Sequence, residues 1–261
     1  MRTRTRIFWI RLLLLLAAAA IYVWIGPVPQ DPAYHRFADT RTWAGIPNAG
    51  DVLSNLAFVV MGVAGVGYLL TAAGRRCCLT PSERRAYLWF FAGFLLTGFG
   101  SGWYHLAPDN PGLALDRLPM TIAFAGLLAA VIAERVGAGL AHKLTWPLVL
   151  AGMASVGYWI ITEASGQGDL RPYGLVQFGF LAVAAAMLVR CPARYTHGRY
   201  FCWGMGAYAV AKVTEALDPD IFVLSGGAVS GHTLKHLAAA GAACAILLML
   251  VRRRPAAPAP A

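Results

Sequence analysis

Residues 86–136 read "AYLWFFAGFLLTGFGSGWYHLAPDNPGLALDRLPMTIAFAGLLAAVIAERV". Two apolar runs, roughly 86–106 and 118–136, flank a short polar stretch; Ser101 and His105 close the first run and Asp116 precedes the second. About 20 residues of helix cross a hydrocarbon layer of ~30 Å. Each run has that length, so the stretch reads as a hairpin of two membrane helices. Further runs lie outward of it, at roughly 8–25, 52–73, 144–162, 172–189, 200–217 and 232–251. The expected fold class is therefore all-α, a polytopic membrane helical bundle of eight spans. Composition agrees: 58% of the 261 residues are hydrophobic and 13% are charged, whereas ordinary soluble domains carry about a quarter charged residues.

The net charge of +10 raises the question of nucleic acid, and its distribution answers it. Both tails and alternate loops hold fifteen cations against two acids, Glu83 and Glu134. The remaining loops hold four cations, Arg36, Arg41, Arg117 and Arg171, against nine acids. Such asymmetry marks the cytoplasmic side of a membrane protein. Both termini are expected in the cytoplasm, which eight spans satisfy, and no nucleic-acid partner is expected. Residues 1–30 read as a retained N-terminal transmembrane helix and its linker, because "GPVPQDP" is a stiff exit and no small-residue cleavage site follows the run. Residues 31–251 form the expected core. Residues 252–261, "RRRPAAPAPA", are low in complexity and read as a disordered cytoplasmic tail. The five cysteines make no CxxC pair and no disulfide framework.

Polar residues gather at one depth. Asp51, Ser54 and Asn55 stand at the outer start of the second run, and Ser101 and His105 at the outer end of the third. Asp116 comes just before the fourth, returned to the same mouth by a loop over 107–115, and His232 and His236 begin the eighth. Residues four apart share a helix face, so Ser101 pairs with His105 and His232 with His236. Three imidazoles with an open fourth position make a catalytic zinc arrangement. Bound zinc lowers the pKa of its water toward ~7. Asp116 is placed to take that water's proton, and Ser101 to donate to a developing oxyanion. Each residue alone has a plainer reading: interfacial histidines, a serine on a backbone carbonyl, an aspartate at a helix N-terminus. Together, ionisable groups at one level of a membrane mark a functional site.

Two further groups stand out. Lys212, Glu215 and Asp218 run down one side of the seventh run and read first as an internal ion-pair ladder, second as support for the site. Asp169, Arg171, Tyr173 and Gln177 open the sixth run, either as a capped loop or as a contact to a lipid headgroup.

The ordered set "DVLSN", "SGWYH", "DRLP" and "HTLKH" resembles the alkaline ceramidase family, within the CREST superfamily of membrane hydrolases that includes the adiponectin receptors. The resemblance covers about residues 35 to 251. It implies a seven-helix core, to which the first helix is an addition. It implies one zinc ion on His105, His232 and His236, with Ser101 and Asp116 catalytic. Asp51, Ser54, Asn55, Arg171, Lys212 and Glu215 are then expected to support the site or touch substrate. The implied reaction is hydrolysis of the N-acyl bond of ceramide or a related lipid by zinc-bound water, giving a fatty acid and a sphingoid-type amine. The lipid is expected to enter sideways from the bilayer, with the site toward the periplasmic face of a bacterial inner membrane. Family members also hold calcium in an acidic segment. Asp39, Trp43 and Asn48 match that set, but two of its glutamates have no counterpart here.

Two other classes stay open at this point. Histidines on separate membrane helices can ligate haem, although a pair one turn apart on one helix argues against opposed axial ligands. A receptor or transport protein with a structural zinc is the third.

Overall fold

The structure, a computed structural model, describes residues 22–256. Most of the first expected helix therefore lies outside the described residues; 22–25, its end, are helical. Seven long helices follow among the described residues: α1 (Ala49–Leu70), α2 (Pro81–Leu106), α3 (Asn110–Arg135), α4 (Ala138–Ala164), α5 (Arg171–Arg190), α6 (Arg199–Ala216) and α7 (Gly231–Arg252). Five of these, α1, α3, α4, α5 and α7, are long and apolar enough to cross a membrane. The other two are long, at 26 and 18 residues, but their runs are diluted by polar and small residues. Ser101 and His105 lie on α2, Lys212 and Glu215 on α6.

The helices begin earlier than hydropathy predicts because caps, not apolarity, set their ends. Thr80 accepts the Glu83 N–H at the start of α2, and Asp109 accepts the Gly112 N–H at the start of α3, each with a proline in the first turn. The turn between these helices is consequently short. The expected loop over 107–115 is corrected: Asp116 lies well inside α3.

Helix α3 is central. It packs against α2, α4 and α5, and 67% of its membrane-length window is buried, against 22% to 39% for the other four. Helix α7 packs on α6 and α1, and α1 closes onto α2. Helices α5 and α6 are joined by a side-chain bridge, Gln177 Nε2 donating to Tyr208 Oη at 2.7 Å. Between α2, α3, α5, α6 and α7 lies a chamber of about 340 Å³ with largely apolar walls.

At one end of the bundle an apolar core joins α1, α2, α3, α6 and α7 around Leu69, Tyr87, Phe91, Val131, Tyr200 and Leu250. Arg253 is buried there. Its guanidinium pairs with Glu134, donates to Cys77 O at 2.8 Å and lies 4.0 Å from the centroid of the Tyr195 ring. Pro255 pairs with Tyr195. Arg253 thus lies just past the end of α7 on a buried carboxylate; residues 257–261 of the expected tail lie outside the described residues.

Candidate metal centre

The three histidines meet at the opposite end. Gly100 lets α2 approach α3 closely, since a Cβ there would collide with the Leu115 carbonyl oxygen. Gly231 does the same for α7 against α6, where a Cβ would strike Thr214 O and come within 2.7 Å of Asp218 Cα. The N-terminus of α7 is fixed twice. Ser230 Oγ accepts the Thr233 N–H at 2.9 Å, and Asp218 Oδ1 accepts the His232 N–H at 2.7 Å. Asp51 Oδ1 accepts from both Ser230 (3.1 Å) and Thr233 (2.8 Å), tying α7 to α1.

His105, His232 and His236 are all buried, with ring centroids 4.8 to 5.0 Å apart. One ligand nitrogen from each lies within 4.8 Å of the others. Both nitrogens of His105 and Nε2 of His236 have no hydrogen-bond partner. Buried polar atoms are rarely left so, because an unmade bond costs about 1–3 kcal/mol. The tautomer of His236 follows from its neighbour. Ser54 Oγ donates to Asp51 O at 2.9 Å, so at 2.7 Å from His236 Nδ1 it acts as acceptor. The proton then sits on Nδ1 and the Nε2 lone pair is free. Metal-ligating histidines are oriented by such bonds from the other ring nitrogen. The donor set, three imidazoles with no carboxylate among them, suits zinc or another divalent transition ion.

Ser101 and Asp116 line the chamber together with His236. The segment before α1 packs over the histidines. Phe37 lies 4.6 Å from the His105 and the His232 ring centroids. His35 bridges Tyr104 Oη (2.9 Å) and Asn110 Oδ1 (3.0 Å), and Ala38 N–H donates to Asp218 Oδ2 at 2.9 Å. Sequence reasoning placed this segment outside the membrane but missed its role as a cover; no periodicity marks contacts made across so many residues.

Other expected residues divide. Asp51 and Ser54 act through α7 and His236, as above. Asn55 Nδ2 donates to Asp51 O at 2.7 Å. Lys212 and Glu215 line the chamber as an ion pair. Lys235, which carries no role in the sequence reading beyond its charge, lines it too: Nζ lies 2.7 Å from Glu215 Oε1 and 3.3 Å from His232 Nε2. The signal for it was in plain view, a lysine between the two histidines of "HTLKH".

Arg171 does not line the chamber. It chelates Asp169 at 2.8 Å through two nitrogens and donates to Tyr22 O at 2.9 Å, clamping the first helix's exit to the start of α5. That guanidinium holds the Asp169 carboxyl down at about 2. The calcium set is not assembled. Arg41 takes both oxygens of Asp39, at 2.8 and 2.7 Å, and holds its carboxyl below the usual range. Trp43 is exposed with its carbonyl on Ile46 N–H, and Asn48 turns its amide nitrogen to His105 O at 2.8 Å. A guanidinium already supplies the cation that the lone carboxylate needs. Among the described residues the three histidines are the one convergent group of metal-ligand type.

The sequence matches no protein-family model and no curated protein. Imidazoles in mutual contact leave no slot for a planar macrocycle between any two of them, so the haem alternative finds no place in this site.

Proposed function

We propose that this chain is an integral-membrane zinc-dependent amide hydrolase, resembling the alkaline ceramidases, that cleaves the N-acyl bond of ceramide or a related lipid to a fatty acid and a sphingoid-type amine. The observation that carries this reading is the buried histidine trio, with unpartnered nitrogens on His105 and His236, beside a long apolar chamber. His105, His232 and His236 would hold the ion. When bound, zinc supplies Lewis acidity and a water acidified to near neutrality. The chain's own residues do the rest. Asp116 holds a proton in transit between nucleophile and leaving amine. Ser101 Oγ donates to the carbonyl oxygen as charge develops there. Phe37 covers two of the imidazoles and limits bulk water. The chamber runs along α3 from Asp116 to Val131, about 22 Å at the helical rise, a length suited to an acyl chain. The charge asymmetry of the loops supports cytoplasmic termini and a site toward the periplasmic face of a bacterial inner membrane.

The deciding experiment is metal content by plasma mass spectrometry on detergent-purified protein, followed by N-acyl lipid hydrolysis. Wild type should hold about one zinc per chain and lose it in His105→Ala and His236→Ala with helicity intact. Asp116→Asn should keep the zinc and the fold but lose about 10²-fold or more in turnover. A well-folded wild type that takes up no zinc on reconstitution would overturn the hydrolase reading. Zinc without turnover on any lipid amide would favour a receptor or transport protein with a structural ion.

A further inference from the structure

The polar end of the chamber carries more positive charge than its acids balance. Lys235 and Lys212 both bind Glu215, whose Oε1 also accepts from Tyr34 Oη at 3.1 Å. One carboxylate thus serves two ammonium groups. Across the chamber, Arg117 finds no acid partner among the described residues. It donates to Gln30 Oε1 at 2.7 Å and lies over the rings of Trp159 (4.5 Å) and Tyr173 (4.9 Å), and its Nη1 has no partner. Asp116 likewise joins no ion pair among the described residues. Three cations, Lys212, Lys235 and Arg117, therefore line this chamber against two acids, Glu215 and Asp116. No other charged side chain among the described residues lines it, and the three imidazoles would add a metal's charge without offsetting it.

Excess charge in an apolar enclosure is costly, and the same low dielectric strengthens its attraction for an incoming anion. We propose that the substrate lipid bears an anionic group, a carboxylate, sulfonate or phosphate, close to its amide, and that Lys235, with Lys212 behind it, holds that group. Lys235 precedes His236 directly and lies against His232, so the anion must sit within a few bonds of the scissile bond. A neutral ceramide offers hydroxyls alone and leaves the excess charge unmatched. This assignment of substrate class rests on the hydrolase reading above.

Three amides sharing one palmitoyl chain test it: N-palmitoylethanolamine (neutral), N-palmitoylglycine (carboxylate) and N-palmitoyltaurine (sulfonate). On the zinc-loaded full chain, kcat/KM should favour at least one anionic amide over the neutral one by tenfold or more. Which of the two leads separates carboxylate from sulfonate chemistry. Lys235→Met, checked for zinc content, should bring that ratio toward one, mainly through KM, and Lys235→Arg should retain it. Equal or better turnover of the neutral amide, or an equal loss on all three in Lys235→Met, would overturn the inference. Should none of the three be cleaved, the hydrolase reading is what fails, and binding then tests the charge argument alone. N-palmitoylglycine should raise the melting temperature of wild type more than N-palmitoylethanolamine does, and Lys235→Met should abolish the difference; equal shifts would sink it.

Discussion

The two ends of this bundle both bury polar groups, and they do so in opposite ways. At one end Arg253 meets Glu134, Tyr87 Oη donates to the same carboxylate at 2.7 Å, and Glu83 accepts from Tyr195 and from Leu79 N–H. Opposite charges and matched donors close on one another there, with Glu83 Oε1 the one atom of these two carboxylates left without a partner. At the other end three bases of one kind face each other, with both nitrogens of His105 and one of His236 unpartnered. A cluster that serves the fold pairs its charges within itself. A cluster that serves a ligand waits for one.

Removing a histidine should make that contrast plainest. His105→Ala should eliminate stoichiometric zinc and all turnover that depends on it, while its melting temperature without metal stays near that of metal-free wild type. The imidazole makes no hydrogen bond within the protein, and the packing lost against Phe37 is offset by the removal of two buried, unpartnered nitrogens, so a large loss of fold in metal-free His105→Ala would place the trio with the structural cluster instead.

At the other end the expectation reverses. Glu134→Leu leaves a buried guanidinium unpaired, which costs about 3–5 kcal/mol, and the melting temperature should fall accordingly. Pairing it with Arg253→Met removes the orphaned charge and should recover most of that loss; a double variant as unstable as the single one would show that the pair is not what holds the end together. Zinc content should be untouched in both. Ser54→Ala gives a smaller effect, back at the site. It frees His236 to adopt either tautomer, and losses of 10–100-fold in metal affinity are usual when such a partner is removed. Competition against a zinc chelator measures it, and unchanged affinity would mean that another group orients the ring.

How much of this was legible beforehand depended on the range of each contact. Apolar runs predicted where α1 to α7 lie, and the helical repeat brought Ser101 beside His105 and His232 beside His236, because both signals are local. Asp116 was placed just before its helix because hydropathy marks the apolar stretch, whereas Asp109 and Pro111 decide where α3 starts. The cover made by Tyr34, His35 and Phe37 left no trace in any pattern, as its partners lie on α2, α3, α6 and α7. Arg253 read as part of a disordered cytoplasmic tail for the same reason: its carboxylate is 119 residues away in the chain. Arg41 is the instructive case at short range. It stands two residues from Asp39 and turns an expected calcium ligand into half of an ion pair.

A second such short-range pair, Asp169 with Arg171, gives the smallest expected effect and bears on how the ends of the bundle are held. Asp169 also accepts from Val28 N–H at 3.4 Å, so the pair joins the exit of the first helix to α5. Its carboxyl is held at about 2 in the folded chain, below the ~3.9 of an unfolded aspartate. A depressed value means that the contribution is fully present above about pH 4 and is lost as pH falls toward 2. Wild type should therefore lose more melting temperature between pH 5 and pH 2.5 than Arg171→Met does, while the two respond alike between pH 5 and pH 7. Turnover and zinc content at neutral pH should be the same in both, because Arg171 faces the first helix and not the chamber. A fall in turnover in Arg171→Met with zinc retained would return this residue to the site from which its position separates it.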